Sequence, residues 1–237
     1  MGITYYPELI QGSDEWLAAR CGLLTASEMN RALAKKTDRK TGAVTYSPPD
    51  DDKIKSHLYE LLAQRITKYV EPHYIGDEML RGIEDEVEAK ILYAEKYEPV
   101  EECGFITNDK WGFTLGYSPD GLVGKKGALE CKSRRQKFQV ETILDDEVPD
   151  EYTIQIQTGL LVSEREWVDF VTYSGGLPMM TKRIKPDPMI QAAILMAAQS
   201  FERNLAEMLD KYNKRLEQKS MRLLPTERRK PEEELEE

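Results

Sequence analysis

The sequence predicts an α/β protein in which a mixed sheet is flanked by helices. Three observations lead to this fold class. Helical patterns fill the N-terminal part up to residue 97, short strand-like runs cluster between residues 104 and 133, and a helix, two strands and one long helix follow. Segments in this order are typical of a sheet that buries its faces against helices. We therefore expect N-terminal helices, a central mixed sheet and a long C-terminal helix.

Helical periodicity and capping residues define the predicted helices. Ser13 is a suitable N-cap for the first helix, and Thr25-Ala-Ser-Glu28 matches a capping box, so a second helix should begin at Thr25. Between residues 78 and 97 the apolar residues lie four apart on one helical face. Acidic residues after Pro149 suit the first turn of a further helix. The predicted helices are 13–20, 25–36, 52–69, 78–97, one that begins after 149, and 188–218.

Short apolar and β-branched runs bounded by turn residues predict the strands. Turns that contain Asn, Pro or Gly separate the first four runs. The polar, proline-containing stretch 37–52 is expected to be a loop. We assign residues 1–222 to a single domain and expect the charged tail, 223–237, to be disordered. The predicted strands are 104–107, 112–117, 122–123, 128–133, 167–173 and 181–184.

Composition limits the classes of protein to which the chain can belong. Of its 237 residues, 40% are hydrophobic and 32% are charged, which is typical of a soluble globular protein. No apolar run approaches the roughly 18 residues that a membrane helix needs. The N-terminus lacks the basic and apolar regions of a signal peptide, so we expect a cytoplasmic protein without a membrane partner.

The few cysteines and histidines restrict the kinds of metal site. The three cysteines lie far apart without a CxxC pair, and there are two histidines, which disfavours disulfide, zinc and iron–sulfur frameworks. A metal would therefore be held by carboxylates, whose oxygens favour Mg²⁺ or Mn²⁺. The net charge of −10 taken alone argues against a nucleic-acid partner, because phosphate binding favours a basic surface. An acidic DNA enzyme would have to gather its Lys and Arg residues in one cleft or channel.

The strongest chemical pattern consists of Asp120, Glu130 and Lys132. Asp120 lies in a Ser-Pro-Asp-Gly turn, and Glu130 and Lys132 are two apart on one predicted strand, so their side chains leave the same face. Two converging carboxylates can hold a hard divalent cation, and the lysine can position or deprotonate a water or offset charge on a phosphate. An ordinary hairpin with a solvated face explains the same spacing, so the spacing alone leaves both interpretations open.

Five short stretches extend this pattern across residues 16–157. In their order and spacing they resemble the lambda exonuclease family of phage recombination nucleases, also called YqaJ-like, within the PD-(D/E)xK nuclease superfamily. The resemblance implies a restriction-endonuclease-like α/β fold with helical additions. Beyond residue 157 the likeness is one of pattern only. The stretches are 16–28 (WLAARCGLLTASE), 82–86 (GIEDE), 116–121 (GYSPDG), 129–132 (LECK) and 155–157 (QIQ).

The resemblance implies roles for the residues of the central pattern. Asp120, Glu130 and the backbone carbonyl of Cys131 would ligate metal, and Lys132 would be the catalytic lysine. Glu86 matches an additional acidic residue near the metals. The resemblance selects Glu86, since helix geometry alone places Glu84 and Glu86 at opposite margins of the same apolar face. That face consists of Met79, Ile83, Val87 and Ile91.

The resemblance also implies a binding site for a 5′-terminal phosphate. It would be formed by Arg20, Ser27, Ser118 and Gln157. The planar fork of Arg20, close to the helix start predicted at Thr25, suits an anion. Without the resemblance, the capping box would be read as a plain helix cap and Arg20 as a surface residue.

The activity implied is a Mg²⁺-dependent 5′→3′ exonuclease that acts on ends of double-stranded DNA. It would degrade the 5′-phosphorylated strand with two Mg²⁺ (or Mn²⁺) ions per site and leave a 3′ overhang. A homotrimeric ring, a single-strand annealing protein as partner, and a phage or prophage source in the bacterial cytoplasm are implied as well. The rivals are an endonuclease of the same superfamily and a non-catalytic DNA-end-binding module. Cutting of closed circular DNA would identify the first, and absence of metal-dependent nucleotide release the second.

Overall fold

Two mixed sheets and a separate hairpin organise the computed structural model, which describes residues 2–49, 51–72, 76–218 and 220–228. The strands are β1 (Ile3–Tyr6), β2 (Leu24–Thr25), β3 (Ala34–Thr37), β4 (Val44–Ser47), β5 (Val100–Glu101), β6 (Phe105–Asn108), β7 (Leu115–Tyr117), β8 (Gly121–Val123), β9 (Gly127–Ser133), β10 (Trp167–Tyr173) and β11 (Met180–Ile184). One sheet has the order β1-β6-β7-β2, the other the order β11-β10-β9-β8-β5, and β3 pairs with β4. This is the mixed α/β architecture that the sequence predicts.

The first and the last helix begin at residues whose side chains cap them. Ser13 accepts a hydrogen bond from the Trp16 N–H at the first helix, and Asp187 accepts from two backbone N–H groups ahead of Pro188 at the last. No helix in the described part of the chain has both the length and the apolar character needed to cross a bilayer. The helices are α1 (Asp14–Arg20), a 3₁₀ helix (Ala26–Arg31), α2 (Asp51–Thr67), α3 (Asp77–Lys96), α4 (Gln136–Asp145), α5 (Asp150–Ser163) and α6 (Pro188–Leu216).

Strand β9 is the centre of the five-stranded sheet. It runs parallel to β10, with Glu130 opposite Phe170, and antiparallel to β8, with Leu129 opposite Gly121. The turn before β8 is tied to the same strand, because the Asp120 N–H donates to the Leu129 carbonyl over 3.1 Å. This register places the end of one turn beside the middle of a buried strand.

Apolar residues pack on both sides of this framework. Helix α5 lies between the four-stranded sheet, the 3₁₀ helix and α6, and its Leu160 belongs to the larger core together with Leu24 and Phe201. Helix α3 covers β9 and β10 through Ala89 and Tyr93, which form a smaller cluster with the sheet. Both helices therefore hold side chains close to the centre of the five-stranded sheet.

The second predicted helix is wrong in type and length. The chain forms β2, a six-residue 3₁₀ helix and β3 in its place. Leu24 is fully buried and pairs with Leu115 of β7, so tertiary pairing overrides the local capping signal. The Thr25 hydroxyl donates to Glu28 over 2.6 Å and caps no backbone N–H.

Part of the predicted loop 37–52 forms the hairpin of β3 and β4.

The apolar face predicted on the fourth helix lies outward. Met79, Ile83, Val87 and Ile91 of α3 are each about half exposed, while Ala89 and Tyr93 face the sheet. The sequence patterns also missed α4 and the short strands β1 and β5, which have few residues and little periodicity.

The segment after α6 returns to the end of α2. The Arg228 guanidinium lies 3.4 Å from the centre of the Tyr69 ring. Residues 223–228 form neither helix nor strand and are exposed. The rest of the tail that we expect to be disordered, 229–237, lies outside the described residues, and the assignment of 1–222 to a single domain stays a prediction.

Candidate active site

Strands β8 and β9 bring the three residues of the central pattern together. Asp120, at the end of the turn before β8, accepts a hydrogen bond from the Cys131 N–H at 2.6 Å. Glu130 is 1% exposed, and its Oε1 lies 2.7 Å from Nζ of Lys132. The hairpin thus places Asp120 on the backbone of the residue next to Glu130, although ten positions separate the two carboxylates in the sequence.

Two further side chains fix the Glu130 carboxylate. The Tyr117 hydroxyl donates to one oxygen over 3.2 Å, and the Gln155 amide donates to the other over 2.5 Å. Burial, followed by the charge of Glu130, raises the pKa of Tyr117 well above its ordinary value, so this hydroxyl remains a donor. A carboxylate held on both oxygens has a defined position before any ligand arrives.

The site concentrates negative charge in a buried place. Burial, then Glu130 and then Glu86, raises the pKa of Asp120 well above its ordinary value. Burial lowers the pKa of Lys132, but the charges of Glu130 and Asp120 outweigh it and raise the pKa above that of a free lysine. Mutually repelling carboxylates are a donor set that a hard divalent cation stabilises, so these residues fit Mg²⁺ or Mn²⁺.

Glu86 stands at the margin of this cluster. Its carboxylate on α3 lies 3.3 Å from Nζ of Lys90. Burial raises its pKa, Lys90 and Lys132 lower it, and Glu130 raises it again, which places Glu86 within electrostatic reach of the cluster. The carboxylates of Glu86, Asp120 and Glu130 do not all lie within 4.8 Å of one another. Among the described residues, the group of three that meets this distance is Glu28, His57 and Glu60.

Cys131 contributes its backbone to the site and its side chain to the core. The thiol packs in the cluster beneath α3, as expected from the alternation along a strand. Burial raises the pKa of this thiol well above its ordinary value, and the charge of Asp120 raises it further. The side chain is therefore an inert apolar group, while the N–H anchors Asp120.

Arg20, Ser27 and Ser118 lie around Trp16 and Thr25. The Arg20 guanidinium stacks 4.2 Å from the centre of the Trp16 ring, and the indole N–H donates to the Ser118 hydroxyl over 3.0 Å. Arg20 and Ser27 line a cavity of about 550 Å³. Burial lowers the pKa of Arg20, and Glu28, whose carboxylate is 3.6 Å away, opposes that effect.

Gln157 lies in a different environment from these three. Its amide donates to the Lys185 carbonyl over 2.9 Å and accepts from the Asp187 N–H over 2.8 Å, so both ends hold the loop before α6. Gln155, two positions earlier on α5, reaches Glu130 instead. Residues two apart on a helix point in nearly opposite directions, so only one of the pair can face the carboxylates. The sequence analysis assigned no role to Gln155, because its approach to Glu130 depends on how α5 packs against the sheet.

The chain is similar to a known protein family and to a solved exonuclease structure. The sequence profile of the YqaJ-like viral recombinase domain matches residues 15–166. The crystal structure of an alkaline exonuclease (LHK-Exo) from Laribacter hongkongensis is similar with a TM-score of 0.72 and 29% sequence identity, over 86% of this chain and 98% of that one. The same exonuclease in complex with dAMP gives the same values. No curated protein matches the chain in sequence.

Proposed function

Because the chain belongs to the YqaJ-like viral recombinase family and is similar to an alkaline exonuclease, we propose that it degrades the 5′-phosphorylated strand of linear duplex DNA in the 5′→3′ direction. The observation that carries this proposal is the arrangement on β9, where the Cys131 N–H holds Asp120 and the neighbouring Glu130 carboxylate pairs with Lys132. Removal of one strand would leave a 3′ overhang. The dAMP bound to the related exonuclease supports release of mononucleotides.

The proposed metal ligands are Asp120, Glu130 and the Cys131 carbonyl, with Glu86 at the margin. When two Mg²⁺ or Mn²⁺ ions are bound, they supply an activated water and offset the negative charge of the phosphate. Glu130 enters this arrangement already oriented, since Tyr117 and Gln155 hold its two oxygens. Asp120 is oriented by the Cys131 N–H.

Lys132 acts as a positive hydrogen-bond donor. Burial lowers its pKa, but the charges of Glu130 and Asp120 raise it and favour the ammonium form, which can hold a water or a phosphate oxygen. Its Nζ lies 5.7 Å from the centre of the Tyr152 ring, which, with Glu130, keeps the ammonium on the side of the carboxylates.

The proposed site for the 5′-phosphate consists of Arg20, Ser27, Ser118 and Gln157. The stacked, partly desolvated Arg20 suits two-pronged phosphate binding, because stacking on Trp16 fixes the plane of its fork. Gln157 joins the set by exchanging its hydrogen bonds to the loop before α6 for the phosphate.

We further propose a homotrimeric ring, with a single-strand annealing protein as partner and a phage or prophage origin in the bacterial cytoplasm. The exposed apolar stripe of α3 supports self-association, because contiguous exposed apolar surface is typical of interaction sites. A net charge of −10 is compatible with DNA when a ring gathers the basic residues on its lining.

The deciding assay compares three substrates in Mg²⁺: linear duplexes with 5′-phosphate ends, the same duplexes with 5′-hydroxyl ends, and closed circular DNA. We expect mononucleotides from the phosphorylated duplex, slower release from the hydroxyl duplex, and an intact circle. Cleavage of the circle would favour the endonuclease alternative. End binding without metal-dependent release would favour the non-catalytic module.

A further inference from the structure

Glu28, His57 and Glu60 form a cluster whose geometry resembles a metal site. One ligand atom from each lies within 4.8 Å of the others. A cationic side chain already contacts this cluster in the place of a metal ion. Nη1 of Arg31 lies 2.8 Å from Glu60 Oε2 and 3.2 Å from His57 Nδ1. The Arg20 guanidinium pairs with Glu28 on the other side. Each glutamate of the cluster therefore pairs with one arginine: Glu60 with Arg31, and Glu28 with Arg20.

His57 and Glu60, which contact Arg31, are themselves fixed by packing and by their contact with each other. His57 is 1% exposed and packs against the Phe201 ring, with the ring centres 5.5 Å apart. Its Nδ1 lies 3.2 Å from the same Glu60 oxygen that Arg31 contacts. A buried imidazole and a carboxylate thus contact one nitrogen of the Arg31 side chain, which is 48% exposed.

Arg31 faces the same cavity of about 550 Å³ as Arg20 and Ser27. Among the described residues Glu60 and His57 engage only Nη1, so Nε and Nη2 keep their donors for a ligand. Besides Glu28 and Glu60, the cavity wall carries Glu71. Two planar guanidinium groups in one cavity, each oriented by a glutamate, match an anion with two separate negative groups.

We propose that Arg31 is a second phosphate-binding residue, which takes an internucleotide phosphate of the strand whose 5′ end Arg20 holds. This inference rests on the proposed function. It assigns the two arginines different tasks: Arg20 recognises the terminal phosphate, and Arg31 binds the strand whether or not its end is phosphorylated. Glu60 and His57 are positioning residues for Arg31.

The experiment measures binding of duplex ends with 5′-phosphate or 5′-hydroxyl groups in EDTA, by fluorescence anisotropy over a series of salt concentrations. Arg31→Ala should weaken binding of both duplexes about tenfold to hundredfold, as expected for one lost charge-assisted contact. The slope of log affinity against log salt should fall by about 0.7 to 0.9. Arg20→Ala should instead remove the difference between the two duplexes.

Control variants separate this effect from damage to the fold. Arg203 is exposed on α6 and lines neither cavity beside Arg31, so Arg203→Ala should bind as wild type does. Glu60→Gln keeps the shape but loosens Arg31, and it should weaken binding of both duplexes by a smaller factor. Arg31→Lys keeps the charge, so its slope of log affinity against log salt should equal that of wild type. Its affinity should lie between those of Arg31→Ala and wild type. Thermal unfolding of each variant identifies any that is destabilised.

Four results would overturn the inference. Wild-type affinity in Arg31→Ala would do so while leaving the proposed function intact. A loss confined to the phosphorylated duplex would assign Arg31 to the terminal phosphate. A Zn²⁺-dependent rise in unfolding temperature that His57→Gln abolishes would identify the cluster as a metal site. If wild type neither binds nor degrades duplex ends, the proposed function fails, and this inference fails with it.

Discussion

At the scale of single residues, Asp120 shows a conflict between stability and chemistry. Its carboxylate is 8% exposed and faces Glu130 and Glu86, so burial and repulsion both disfavour its charge. The Cys131 N–H partly compensates. A site that concentrates charge for a cation stabilises the folded chain less than a neutral arrangement of the same shape would.

Asp120→Asn should therefore stabilise the protein and abolish cleavage. The amide oxygen can still accept from Cys131, while the repulsion disappears; a gain of about 1 kcal/mol corresponds to about 2–4 °C in unfolding temperature. Mg²⁺ should raise the unfolding temperature of wild type but not of Asp120→Asn. Differential scanning fluorimetry with and without Mg²⁺ measures both effects. Glu141→Gln, on the exposed face of α4, is the control and should change neither. Cleavage by Asp120→Asn at a tenth of the wild-type rate or more would remove Asp120 from the proposed site.

Lys132→Arg should lose turnover with little loss of DNA affinity. The arginine keeps the charge but replaces a compact ammonium with a planar fork, which does not fit between Glu130 and Tyr152 in the same geometry. Single-turnover cleavage and end binding, measured separately, distinguish the two effects. Lys126→Arg, in an exposed turn, provides the matched control. Equal turnover in Lys132→Arg would mean that only charge matters at this position.

At the scale of elements, helices and strands with a clear local pattern could be predicted from the sequence, but the pairing of strands far apart in the chain could not. Helices α2 and α3 follow from apolar spacing, α5 from the acidic residues after Pro149, and strands β9 and β10 from short apolar runs bounded by turn residues. The short β2 exists because Leu24 pairs with β7, which lies some ninety residues later, and no local pattern contains that information. The local hairpin brought Asp120 to Glu130 as the sequence indicated. Gln155 and Tyr117 reach Glu130 from other elements, and therefore only the fold reveals them.

Helix α5 packs closely against Tyr117 because it has a glycine, Gly159, at the point of contact. A Cβ at Gly159 would lie 2.7 Å from the Tyr117 ring, whose hydroxyl holds Glu130. Gly159→Ala should destabilise the protein by about 1–3 kcal/mol and reduce cleavage, because the ring must move away. Denaturant unfolding and the nuclease assay measure the two effects.

Gly82→Ala is the matched control for this substitution. Gly82 lies within α3, and a Cβ there meets nothing within 4 Å. The same change should stabilise the protein by about 0.4–1 kcal/mol, because alanine has less freedom in the unfolded chain. If Gly159→Ala is as stable as Gly82→Ala, the packing of α5 against Tyr117 is looser than the contact distance indicates.

At the scale of the whole molecule, the exposed face of α3 links the fold to assembly. The sequence pattern that predicts a buried helical face is correct in period, but this face lies outward. Sequence periodicity does not distinguish a face buried within one chain from a face available to a second copy. The number of copies likewise depends on geometry between chains.

Light scattering coupled to gel filtration should give the mass of three chains at micromolar concentration. Ile83→Glu places a charge in the middle of the stripe and should lower that mass. Leu144→Glu, at an exposed apolar residue of α4, is the control and should leave the mass unchanged. A monomeric mass for an active wild-type preparation would contradict the ring, and a dimer would favour the endonuclease alternative.

The contact of Arg228 with Tyr69 has a practical consequence for anyone who purifies or labels the protein. Arg228 lines a cavity of about 280 Å³ together with Arg31 and Glu60, and these two residues also line the cavity of about 550 Å³ that we propose binds the DNA end. A fluorophore or affinity handle attached close to residue 228 would therefore lie beside the proposed binding residues. Labels for binding measurements should be placed at an exposed residue away from both cavities.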